Sequence, residues 1–205
     1  MRRQHRRFFM VHPLARRQLL QALVLLPPSL ILAGSLAPPA LALGGVMPPL
    51  DAVAPAFDLA GVRPDRHGAA QPVRLSAADF AGQWLVLYFY PKDFTSGCTI
   101  EARGFQRDLP AYRQAGATVV GISADDADSH ASFCGSEGLA YALLSDPGGR
   151  VSQSYGSWLP PYSQRHTFLI DPAGILRARW SGVNPSRHSA EVLAELQRQQ
   201  AVTRS

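Results

Sequence analysis

Seven consecutive apolar or aromatic residues, Trp84-Leu85-Val86-Leu87-Tyr88-Phe89-Tyr90, run directly into Pro91. A run with no polar alternation predicts a strand buried on both faces, the mark of a central strand in an α/β sheet. Pro91 ends the strand, because proline has no N–H to give to a neighbour.

Around this strand the chain alternates. A helix is expected from about Cys98 towards Leu109. Asp108-Leu109-Pro110 reads as the start of a new helical piece, stopped by Gly116. Thr118–Ser123 reads as the next strand. Asp126 or Asp128 can cap a helix that runs through Glu137 and ends at Gly138. Ala142-Leu143-Leu144 is a short strand. Arg165–Asp171 and Ile175–Trp180 form a hairpin around the turn Asp171-Pro172-Ala173-Gly174. Ser186 is expected to cap a last amphipathic helix carrying Val192, Leu193 and Leu196. The order predicts an α/β domain of thioredoxin-like fold, a central mixed β-sheet flanked by helices.

The 205 residues suit one domain and a leader. The net charge of +5 misleads about partners, because residues 1–42 hold six arginines and no acid. The rest has 14 basic and 15 acidic residues, a net of −1, with Lys92 its one lysine. That excludes nucleic acid as the expected partner. Residues 1–42 read as an export signal. The pair Arg16-Arg17 precedes an apolar stretch broken by Pro27-Pro28, and Ala40-Leu41-Ala42 offers a small-x-small cleavage pattern. The paired arginines resemble a twin-arginine signal. An uncleaved membrane anchor is the competing reading, disfavoured by the double proline. Residues 43–49 are expected to be an extended linker and 50–205 the folded domain. The expected destination is the periplasm or a thylakoid lumen, with no membrane contact after cleavage.

Two cysteines exclude a disulfide scaffold and a four-cysteine zinc site. His130, His166 and His188 lack ligand spacing, so no metal is expected. Cys98 falls in the first turn of its helix. There, unpaired backbone N–H groups and the positive end of the helix dipole stabilise a thiolate over a thiol. Thr95, three residues earlier, can bring a hydroxyl beside the sulfur, and Pro91 can roof the pocket.

Pro91, Thr95 and Cys98 match the peroxiredoxin pattern Pro-x-x-x-Thr/Ser-x-x-Cys. Phe89-Tyr90-Pro91-Lys92-Asp93 and Gly97-Cys98-Thr99 resemble the bacterioferritin comigratory protein branch, also called peroxiredoxin Q. Ala54-Pro55-Ala56-Phe57, Gly121–Asp125, Leu144–Pro147 and Thr167–Asp171 continue the resemblance in order, over nearly all of residues 50–200.

The resemblance implies roles. Cys98 would attack a hydroperoxide, either hydrogen peroxide or a small alkyl hydroperoxide, and become a sulfenic acid. Thr95 would hydrogen-bond the peroxide. Arg165 matches a distant arginine that sits by the cysteine, and Glu101 matches an acid that orients it. No cofactor is implied. Many relatives carry a resolving cysteine five residues after the first, where this chain has Arg103. Some carry it in the following helix, which would make Cys134 the resolving cysteine, reached by local opening of one or both helices. A thioredoxin-like dithiol would recycle the disulfide. A monomer is expected, with a weak dimer as the alternative.

Plainer readings remain beside these. Cys134 can be a core cysteine, Arg165 a surface residue of a strand, and Glu101 merely a favourable charge at a helix N-terminus. A thiol-disulfide oxidoreductase would need Cys-x-x-Cys, but Glu101 occupies the second position. A one-cysteine peroxidase and an exported binding module with a structural Cys98–Cys134 disulfide stay open.

Overall fold

The computed structural model describes residues 44–204; the expected export signal lies outside them. The chain passes through β1 (Asp58–Pro64), β2 (Ala70–Ser76), β3 (Trp84–Phe89), α1 (Ser96–Gln114), β4 (Ala117–Ser123), α2 (Ala127–Glu137) and β5 (Ala142–Ser145). It continues through α3 (Arg150–Ser154), β6 (Trp158–Leu159), β7 (Tyr162–Ser163), β8 (His166–Ile170), β9 (Leu176–Ser181) and α4 (His188–Arg204). Seven strands form one mixed sheet in the order β2-β1-β5-β4-β3-β8-β9. β3 pairs parallel with β4 and antiparallel with β8.

Every position of β3 is buried, as its unbroken apolar run requires. Strand geometry divides its side chains between two cores. Trp84, Val86 and Tyr88, with Tyr90 beyond the strand, join Phe105 and Tyr112 of α1, Phe133 of α2 and Val192 and Leu196 of α4. Leu85, Leu87 and Phe89 join Ile122, Tyr155, Phe168 and Leu176 on the other face. Val151 of the short α3 and Phe80 of a single 3-10 turn, Ala77–Phe80, help close that second face.

The structure corrects two helix boundaries. α1 does not restart at Asp108-Leu109-Pro110 but runs through Pro110 without interruption. Leu109 and Tyr112 are buried in the same core, and the Tyr112 hydroxyl donates to the Ser189 carbonyl at 2.6 Å. Packing on both sides of the proline outweighs its local preference to begin a helix. Ser186 does not cap α4. Its N–H and hydroxyl both donate to Asn184 Oδ1, closing an Asx turn, and the helix begins at His188.

Two hairpins, β1–β2 and β6–β7, add to the expected order. The segment expected as a linker docks against the domain. Gly44 accepts from the Trp158 N–H at 3.1 Å, and the Pro48 carbonyl accepts from Arg179 Nη1 at 2.5 Å.

Candidate active site

Strand register builds the site. Phe89 pairs with His166 across β3 and β8, so Arg165, one residue before β8, arrives beside the loop that leaves β3. The Tyr90 N–H donates to the Ile122 carbonyl, extending the neighbouring ladder to Tyr90, and Pro91, half-buried, follows at the mouth of the loop. Thr95 is extended, with φ −77 and ψ 145, and α1 starts at Ser96. The first helical bond runs from the Thr99 N–H to the Thr95 carbonyl at 2.9 Å. Cys98 therefore sits in the first turn, where backbone N–H groups have no partner within the helix.

Arg165 lies across that turn. Its Nη2 approaches Cys98 Sγ at 3.4 Å, and its Nη1 donates to Glu101 Oε2 at 2.5 Å. Cys98 is 2% exposed and Glu101 fully buried. Burial pushes the Glu101 carboxyl up to about 7, with the Arg165 charge offsetting part of the effect. Burial works against the Arg165 charge, but Glu101 and the Cys98 sulfur outweigh it and leave the guanidinium above its usual value. Among the described residues Glu101 Oε1 is buried without a hydrogen-bond partner. The Thr95 hydroxyl donates to the Lys92 carbonyl at 3.0 Å, so in this arrangement it braces the loop.

One residue without a role in the motif reading shapes this contact. A Cβ on Gly97 would stand 3.0 Å from Arg165 Nη2, so glycine leaves room for the guanidinium over the helix start. The Gly in Ser96-Gly97-Cys98 was the available signal.

A second polar cluster went unread in the sequence. Asp93, in the Pro91–Cys98 loop, is 3% exposed. Its carboxylate accepts from the Tyr90 hydroxyl at 2.8 Å and the Ser129 hydroxyl at 2.8 Å, and lies 2.9 Å from His130 Nδ1. The Asp93 N–H donates to Asp125 Oδ2. The loop is thus bolted to the start of α2. Phe94, at φ 60, adds an edge-on contact with Phe133, ring centroids 5.1 Å apart.

α2 is capped by Asp126, which accepts from the Ser129 N–H, and ends at Gly138 with φ 61, as expected. It carries Cys134, which is buried. Desolvation, with the Asp93 carboxylate adding to it, pushes that thiol up to about 12. Cys98 and Cys134 are both free thiols. Arg103, at the position of the missing local cysteine, pairs with Glu137 at 2.5 Å and ties α1 to α2. His188 Nε2 meets the Thr167 hydroxyl at 2.7 Å. Among the described residues no group of three or more His, Cys, Asp or Glu is arranged to hold a metal ion.

A buried cysteine thus lies at a helix N-terminus under an arginine that a buried carboxylate holds in place. Residues 50–179 match the AhpC/TSA family. The chain belongs to that family, in its Bcp and Q peroxiredoxin branch. It is 39% identical over 125 residues to peroxiredoxin Bcp of Xanthomonas campestris, covering 57% of this chain and 78% of that protein. It is 34% identical over 151 residues to peroxiredoxin Bcp of Bacillus subtilis, covering 70% and 91%. Among solved structures it is similar to peroxiredoxin Q of Xanthomonas campestris, determined as two separate cysteine-to-serine variants. Both superpose with a TM-score of 0.62 at 31% identity, over 73% of this chain and 98% or 99% of theirs. Membership of the AhpC/TSA family makes the protein a peroxidase.

Proposed function

We propose that the protein reduces hydroperoxides by a two-cysteine cycle. The Cys98 thiolate attacks the distal peroxide oxygen. The O–O bond breaks, the departing water or alcohol takes up a proton, and Cys98 becomes a sulfenic acid. Arg165 stabilises the negative charge that develops on the departing oxygen, and Glu101 holds the guanidinium on target. Thr95 turns its hydroxyl from the Lys92 carbonyl to the peroxide. The observation that carries this reading is Arg165 spanning the Cys98 sulfur and the Glu101 carboxylate.

Cys134 then attacks the sulfenic sulfur, releasing water and leaving a disulfide. The 36-residue separation of Cys98 and Cys134 supports this, because the two substituted cysteines of the Xanthomonas campestris peroxiredoxin Q structures are spaced alike. The burial of both thiols supports local opening of one or both of α1 and α2, so that the sulfurs can meet, before the bond forms. An external thioredoxin-like dithiol restores the two thiols. Both cysteines being free argues against a standing structural disulfide. Export by the leader, to the periplasm or a thylakoid lumen, and a monomeric state belong to the same reading.

Intact mass of the reduced protein, before and after one equivalent of hydrogen peroxide, tests it. Wild type should lose two hydrogens, and Cys134→Ser should gain one oxygen on Cys98. A stable oxygen adduct in wild type would leave a one-cysteine peroxidase. No reaction would discard the catalytic reading.

A further inference from the structure

The cluster that joins the active-site loop to α2 contains a histidine for which the peroxide step has no use. His130 is wholly buried, and its Nδ1 lies 2.9 Å from Asp93 Oδ2. Two hydroxyl groups, of Tyr90 and Ser129, donate to the same carboxylate. Asp93 is therefore the acceptor in each contact, which puts an imidazole hydrogen on Nδ1, so that in the neutral ring the lone pair lies on Nε2. Among the described residues Nε2 is buried and has no hydrogen-bond partner. One helical turn further along α2, on the same side of the helix, is Cys134.

Asp93 contacts His130, and Cys134 lies one turn from His130 on the same helix side without a hydrogen bond to Nε2 in this structure, so the members of a nucleophile–base–carboxylate triad share one cluster in which the thiol has yet to meet the base. We propose that His130 is the base for the resolving step and that Asp93 orients it. The proposal rests on the reading of Cys134 as the resolving cysteine.

The step balances without another reagent. Nε2 takes the proton of the Cys134 thiol as its sulfur attacks Cys98. The S–S bond forms while the Cys98 S–O bond breaks. The departing hydroxide takes the proton back from the imidazolium and leaves as water. Cys134 is oxidised and the sulfenic sulfur reduced. Burial keeps the Cys134 thiol protonated at neutral pH, so the step needs a proton acceptor close by. His130 and Cys134 share one turn, so their relation survives an opening that moves that turn as a unit, whereas Asp93 orients the ring while α2 is still docked on the active-site loop.

The titratable groups facing this pair are Tyr90 and Asp93 at the start of the active-site loop and Tyr141 ahead of β5, with Asp125 behind them accepting from the Asp93 N–H. Asp93 lies 2.9 Å from His130 Nδ1 and the Tyr90 hydroxyl 3.4 Å.

The test is a rapid-mixing experiment on the reduced protein with one equivalent of hydrogen peroxide, quenched in acid and read by intact mass. It resolves formation of the Cys98 oxygen adduct from its conversion to disulfide in one time course. Wild type, His130→Asn and Asp93→Asn are compared from pH 6 to 9. Asparagine keeps an N–H near the Nδ1 position and removes the base. Conversion to disulfide should slow by about tenfold or more in His130→Asn at pH 7, relative to adduct formation in the same trace. The deficit should shrink as pH rises and hydroxide replaces the histidine. Asp93→Asn should be slowed in the same sense but less. Equal conversion rates at every pH would overturn the proposal. So would faster conversion in both variants, which would make the cluster only a clasp on α2, or parallel slowing of both steps, which would make it only structural. A wild type that forms no disulfide would instead overturn the resolving role of Cys134, and with it this proposal.

Discussion

Arg165 touches Cys98 and Glu101 with different nitrogens of one guanidinium, Nη2 at 3.4 Å from the sulfur and Nη1 at 2.5 Å from the carboxylate. A planar fork can hold both at once; a lysine ammonium offers a single point of charge. Arg165→Lys should therefore slow oxidation of Cys98 by about 100-fold, the usual cost of losing one preorganised donor to a developing oxyanion. Stopped-flow measurement of the first step checks this. A loss below about threefold would mean that charge alone suffices.

Gly97→Ala separates stability from rate. Alanine favours a helix over glycine by about 0.5–1 kcal/mol. Its Cβ would press on Arg165 Nη2 at 3.0 Å. The variant should melt at or above the wild-type temperature, yet react several-fold more slowly with peroxide. Unchanged kinetics would show that the guanidinium shifts without consequence.

Two buried groups give the stability curve opposite slopes. Burial, with the Arg165 charge adding, lowers His188 to about 4 from an ordinary 6.5. Between those values the unfolded chain holds the extra proton, so stability falls as pH drops through the window. Glu101 is raised to about 7 from an ordinary 4.5. There the folded state holds the extra proton, and stability falls as pH rises through the window. Each contribution is bounded at about 3 kcal/mol. Urea denaturation from pH 4 to 8 should show a shallow acid slope in wild type. His188→Gln should leave stability falling as pH rises, and Glu101→Gln should steepen the acid loss. Parallel curves for all three proteins would contradict both assignments.

Pro110 costs α1 one hydrogen bond in its interior and is itself exposed. Pro110→Ala should raise the unfolding free energy by about 1–3 kcal/mol. If α1 opens during the cycle, the same substitution should slow disulfide formation while leaving Cys98 oxidation alone. Thermal unfolding and the quenched time course read the two effects separately.

The central strand, the helix start at Cys98 and the Asp171–Gly174 turn were legible because each is a local pattern with a local cause. The β1–β2 hairpin was not read. Its signal is the Asp65-to-Gly68 turn, in which Asp65 Oδ1 accepts from the N–H groups of His67 and Ala69. The uninterrupted α1 could not be read around Pro110, since what holds it is the contact of Tyr112 with Ser189, 77 residues further along the chain. The link from Asp93 to His130 escaped for the same reason. Nothing near either residue announces the other, and only the parallel pairing of β3 with β4 brings the start of α2 to the active-site loop.

The docked segment before β1 has a practical bearing on how this protein is handled. Gly44 holds the backbone of Trp158, Gly156 has room for no Cβ against Met47, and Arg179 grips the Pro48 carbonyl. These contacts border the stretch that delivers Arg165. A recombinant version trimmed to start at residue 50, at the edge of the family match, would keep every residue of the chemistry but lose the belt around the arginine's loop. Its kinetics would then report on the cloning boundary as much as on the enzyme.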